Sequence, residues 1–199
     1  MAKLKWVGIV DDVSKYQQGE IPDNAVKLKT PKNTADMQIK ALPFLIPFVL
    51  ITFISMFCKS FFCKAFYVKP FFIVSGFLFG FLLIFVHEVL HGLVYPKSAN
   101  VYIGIIPKSL TAVALASYPL SRKRFVIMSL LPLVLGVVPI FLFWILPADL
   151  CELNSFLWGT AAVGLISPYP DCYNVYLVMR QTTENSLIQF YKDDLYAVN

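Results

Sequence analysis

The 199 residues are 58% hydrophobic and only 15% charged, whereas soluble domains sit nearer half apolar and a quarter charged. The apolar residues fall in runs, eighteen of them phenylalanine, and the formal net charge is +5; this excludes an ordinary soluble fold and leaves a one-domain integral membrane protein. The basic excess does not point to nucleic acid, because it lies mostly in segments that orientation places beside anionic inner-leaflet lipid.

Residues 1–40 mix seven lysines with five acids and contain Gly19, Pro22 and Pro31. They read as a partly ordered arm, with an interfacial segment around Leu4 to Val13. So polar a beginning is not a cleavable signal peptide. Four apolar stretches follow: Ala41 to Phe57, Phe71 to Val94, Phe125 to Leu146 and Ser155 to Met179. Each approaches the roughly 17–25 residues that carry a helix across the hydrocarbon. The first is short and is separated from the second by the basic, cysteine-bearing stretch Cys58 to Lys69. Between the second and third, Val101 to Ile105 and Leu110 to Ser117 are β-prone and flank Pro107-Lys108-Ser109, which predicts a hairpin at the membrane interface. Pro132, Pro139 and Pro147 are expected to bend the third stretch.

Lysine and arginine alternate in abundance along the chain. Grouping alternate connecting segments puts fourteen on one side and three on the other. The positive-inside rule then places both termini and the Tyr95 to Arg124 loop in the cytoplasm, with Arg122, Lys123 and Arg124 holding that topology. The expected location is the cell membrane, multi-pass, in contact with membrane lipids. Cys58 and Cys63 fall in a predicted outer loop, where a disulfide is permitted but not required.

Within the second stretch the chain reads His87-Glu88-Val89-Leu90-His91-Gly92. Positions four apart share a helix face, so both imidazoles reach one metal ion. Glu88 leans toward a water in the open coordination position; the metal acidifies that water, and the glutamate takes its proton and passes it to a leaving amine. The pattern also occurs by chance on soluble helices. Here it contains the chain's only two histidines. A charge at membrane depth costs at least ~2.5–3.5 kcal/mol, so these groups should face a cavity or a partner. Zn2+ is the expected cofactor, although iron or cobalt also suits the donors.

A third protein ligand must come from Asp, Glu or Cys. His87 lies sixteen residues past Phe71, and Asp171 sixteen past Ser155. Both are therefore about 24 Å along helices that run in the same direction. Asp149 and Glu152 lie at the opposite end, and Glu184, Asp193 and Asp194 lie beyond the membrane, so Asp171 is selected. Ser167-Pro168-Tyr169-Pro170-Asp171 interrupts the fourth stretch, and its prolines should break the helix, with Ser167 capping a new one. The competing reading of Asp171 is a helix-capping carboxylate that holds no metal. Asn174 shares its face and either supports the site or serves ordinary packing.

The chain resembles the putative zincin peptidase family of bacterial membrane proteins, a domain of unknown function distantly similar to site-2 proteases. The resemblance rests on HEVLHG within a span, SYPLSRKRF before LLPLVLG, an aspartate in the last span and the lead-in GEIPDNAVKLK. It implies a metal bound by His87, His91 and Asp171, with Glu88 catalytic. Site-2 proteases carry an aspartate-glycine pair at the third ligand; here Cys172 follows Asp171.

The expected fold is all-α, with about four transmembrane helices and a short interfacial β-hairpin after the second. Residues 1–40 form a cytoplasmic arm, 41–179 a four-helix transmembrane zincin domain, and 180–199 a cytoplasmic tail. The expected function is an intramembrane zinc metalloprotease that cuts a membrane-protein or peptide substrate, embedded or juxtamembrane. The alternative is a non-catalytic membrane protein with a structural or regulatory metal site, which would have no need of Glu88. A transporter fits less well, since no inverted repeat is visible. An exposed strand edge of the hairpin suits an unwound substrate, while a plain interfacial hairpin is the simpler use.

Overall fold

The computed structural model describes residues 2–107 and 111–198. Among them, in chain order, are β1 (Lys3–Ile9), β2 (Val26–Lys27), α1 (Thr34–Phe62), α2 (Pro70–Val94), β3 (Asn100–Ile106), β4 (Thr111–Leu115) and β5 (Leu120–Ser121). Then follow α3 (Arg122–Leu130), α4 (Val134–Ile145), α5 (Cys151–Ile166), α6 (Tyr169–Gln181), β6 (Leu187–Tyr191) and β7 (Asp194–Val198). The chain is mostly helical and divides into two compact units, neither contiguous in sequence. The first comprises Met1–Ala41, Glu88–Leu131 and Pro170–Asn199, and the second Leu42–His87 and Pro132–Tyr169.

Among the described residues, three helical runs are long and apolar enough to cross a membrane: Ala35–Phe62, Pro70–Val94 and Arg122–Ile145. The first begins before its apolar stretch, because the Asn33 side chain accepts a hydrogen bond from the Asp36 N–H and stabilises the helix start. Pro70 opens α2 in the first helical position, where its missing N–H costs nothing. In the third run a 3-10 turn over Leu131–Leu133, containing Pro132, separates α3 from α4. Large apolar side chains such as Phe53, Phe57, Leu82 and Phe141 remain exposed on these helices, as lipid-facing residues do. The fourth apolar stretch is not one long helix. It is split into α5, of 16 residues, and α6, of 13, each shorter than a full crossing. Pro168 and Pro170 lack the N–H groups that would continue the ladder. Ser167 closes α5, its N–H bonded to the Val163 carbonyl, rather than capping α6.

In the second unit α5 is the central helix, and small residues let its neighbours approach it. A Cβ on Gly159 would lie closer than 3.0 Å to the backbone of Ile73 in α2, and one on Gly136 equally close to the backbone of Leu165. Where lipid supplies no hydrophobic drive between helices, such close packing does the work. Gly159→Val is expected to lower stability by about 3 kcal/mol, the upper part of the usual overpacking range. Denaturant titration in detergent reads this as an earlier midpoint. Aromatic donors tie the same unit together: Trp158 Nε1–H donates to the Thr52 carbonyl at 2.8 Å, and Trp144 Nε1–H to Ser55 Oγ at 3.1 Å. Lys59 is buried, its ammonium donating to Asn154 Oδ1 at 2.7 Å and to the carbonyls of Leu146 and Phe143. Those acceptors offset its desolvation.

The first unit holds both sheets. One has the order β1-β3-β4, with β1 parallel and β4 antiparallel to β3; the other has the order β2-β7-β6-β5. Phe125, Val178, Ile188 and Leu195 fill its core together with Tyr95, Val101 and Met128. The hairpin expected after the second span is present as the β3–β4 pair, while Lys108, Ser109 and Leu110 lie outside the described residues. The expectation that strands would be confined to this hairpin is corrected. The N-terminal stretch around Leu4 to Val13 supplies β1, and the C-terminal segment supplies the β6–β7 pair. The partner of β1 lies far away in sequence, so local composition could not announce that strand, whereas β6 and β7 form a local hairpin that was read as tail.

Candidate metal centre

The last turns of α2 carry His87, Glu88 and His91, which are 5%, 7% and 7% exposed. One nitrogen or carboxylate oxygen from each lies within 4.8 Å of the others, as the four-residue spacing on a continuous helix requires. The end of this helix packs closely against β1. A Cβ on Gly92, the residue after His91, would lie 2.5 Å from Leu4 Cδ2, so the Leu4 side chain would have to shift to admit a larger residue there.

His91 Nδ1 lies 2.8 Å from the carbonyl oxygen of Met128 in α3. A carbonyl can only accept, so Nδ1 carries a proton, and Nε2, once unprotonated, would present its lone pair to a metal. That nitrogen is 3.6 Å from Asp171 Oδ1. Two ligands on one tetrahedral zinc, each about 2.0–2.1 Å from it, stand roughly 3.3 Å apart. The separation therefore suits donors that share a cation. The Nδ1 bond to a backbone carbonyl is the usual support for a metal-binding histidine. Imidazole and carboxylate are also the donor types that zinc takes. These residues fit the group.

Asp171 sits in the first turn of α6, where unsatisfied N–H groups and the helix dipole favour a negative charge. The structure thus brings Asp171 to His91, while the mutually close trio consists of His87, Glu88 and His91. Asn174 lines a separate small concavity with Thr30, Asn33 and Asp193. All four cysteines are free thiols. Sequence reasoning missed the Met128 carbonyl, and no signal could have revealed it, because a main-chain acceptor has no residue signature. It also missed Arg124, whose Nε–H donates to the Val94 carbonyl at 2.6 Å.

Two imidazoles four residues apart with a glutamate beside the first are the donor set of a metallopeptidase helix. A family model described as "Putative zincin peptidase" matches residues 80–187, more than half of the chain, and the chain belongs to that family. Membership implies a zinc metallopeptidase, with zinc as its cofactor. No curated protein and no solved structure matches the chain.

Proposed function

We propose that this protein is an intramembrane zinc metalloprotease, similar in plan to site-2 proteases, that hydrolyses peptide bonds of a membrane-embedded or juxtamembrane substrate. The observation that carries the reading is His91, with Nδ1 committed to a main-chain carbonyl and Nε2 turned toward the Asp171 carboxylate. A merely structural ion pair has no use for Glu88 buried on the same turn.

In this reading His87, His91 and Asp171 hold the metal. Zinc, when bound, supplies Lewis acidity toward the scissile carbonyl and brings a water's pKa near neutrality. Glu88 would take a proton from the attacking water and return it to the departing amine. The Met128 carbonyl keeps the His91 ring in one tautomer and orientation. Asp171 offsets part of the cation's charge. Strand β4 lies at the edge of its sheet, and a substrate segment unwound from its helix adds there as a further strand.

The three apolar helices support a multi-pass placement in the cell membrane. The distribution of lysine and arginine supports cytoplasmic termini. Purified protein incubated with a single-span peptide substrate is expected to cleave it, to stop on addition of a zinc chelator, and to resume when zinc is restored. Cleavage that continues undiminished through chelation would refute the metalloprotease reading.

A further inference from the structure

Three basic residues, Arg122, Lys123 and Arg124, open α3, and its first turn contains no acid. Cations are disfavoured there, because a helix N-terminus is itself positive. Membrane orientation requires only charge, which lysine supplies as well as arginine. The two guanidinium groups do something that charge alone does not. Arg124 Nε–H donates to the carbonyl of Val94, the last residue of α2, at 2.6 Å. Arg122 donates to the carbonyl of Met179, near the end of α6, at 3.2 Å. Each reaches a helix C-terminus, where carbonyls lack intrahelical partners and the dipole is negative.

These two helices carry the candidate ligands of the first unit: His91 stands three residues before Val94, and Asp171 begins the helix that Arg122 holds. One turn further along α3, the Met128 carbonyl accepts the His91 Nδ1 proton. Helix α3 is itself fixed at its start. The Ser121 side chain accepts from the Arg124 N–H, and the Arg122 N–H donates to the Ser186 carbonyl. Three contacts from one short helix therefore reach both ligand-bearing helices.

We infer that Arg122 and Arg124 are positioning residues for the metal centre, with α3 acting as a strut that holds His91 and Asp171 at ligand spacing. The inference rests on the metal reading of the site given above. Its ligand is the divalent zinc ion, and the two arginines act on affinity through the helices, without touching the ion.

The test is the double variant Arg122→Lys/Arg124→Lys, which keeps every charge that orients the chain but removes the planar, forked donors. Lys123→Gln, an exposed change between them, is the control. Two quantities are measured in full-length protein in detergent: zinc affinity by chelator competition, and amide hydrogen exchange of the metal-free form. The double variant is expected to bind zinc about 10-fold more weakly or worse, the usual effect of losing outer-sphere support. Exchange should speed up in the last turns of α2 and α6 while the rest of the protein keeps parental protection, and Lys123→Gln should match the parent in both. Zinc affinity within twofold of the parent overturns the strut, whatever exchange does, and so does weakened zinc binding without faster exchange at those two helix ends. A parent protein that binds no zinc would instead remove the underlying reading of the site, an outcome distinct from either.

Discussion

Glu88→Gln is expected to lower peptide hydrolysis by about 10²–10⁴-fold, the usual worth of a positioned general acid–base, while zinc remains bound at parental stoichiometry. Glutamine keeps the shape and hydrogen-bonding reach of glutamate but cannot take a proton. Glu88 is buried on the same turn as two histidines that lie within ligand distance of it. A general packing loss would lower metal content and cleavage together. The proposed role separates them, so metal content and turnover are measured on the same preparation. Cleavage at the parental rate would rule out Glu88 as the proton carrier and would favour a regulatory or structural metal site.

The second large effect is expected at Asp171. Asp171→Ala should weaken zinc binding by more than about 100-fold, because losing a direct ligand exceeds the roughly 10–100-fold cost of losing outer-sphere partners. A helix-capping carboxylate gives a different outcome. Its removal would cost about 0.5–2 kcal/mol of stability and leave affinity for the ion unchanged. Asp171→Asn separates the two further, since asparagine caps a helix as well as aspartate does but is a neutral and poor zinc ligand. Chelator competition and thermal melting of the metal-free protein, run on both variants, distinguish ligand from cap.

The helices were legible to different degrees. Runs such as Phe71 to Val94 are long and uninterrupted, and length and apolarity alone set α2 within a residue of its bounds. The first apolar stretch was read too short, since its helix starts among polar residues, where Asn33 rather than hydrophobicity decides the start. The break before Asp171 followed from two prolines. That Ser167 would close the preceding helix instead of opening the next did not, because a serine beside a proline suits either end. Strands β1 and β2 stayed hidden, since each finds its partner only through tertiary pairing, as Trp6 does with Ile103 and Val26 with Ala197; β6 and β7 form a local hairpin that was read as tail.

In the site, the spacing of His87, Glu88 and His91 was plain from the chain. Counting residues along two spans selected Asp171 beside His87, although that count assumed an unbroken fourth helix, which the structure divides into α5 and α6. The supporting contacts did not. A carbonyl at Met128 and the two helix ends met by Arg122 and Arg124 belong to the backbone. Those arginines read as topology signals because any cation would have answered that need.

The interleaved first unit also imposes a timetable on synthesis. Strand β2 must wait for β7, and His91 for Asp171, which a ribosome adding about 5–20 residues per second delivers roughly 4–16 s later. During that interval the nascent chain already carries both imidazoles and Glu88 but lacks the Asp171 carboxylate. On the proposed reading, translation thus postpones completion of the metal site until most of the polypeptide has been made.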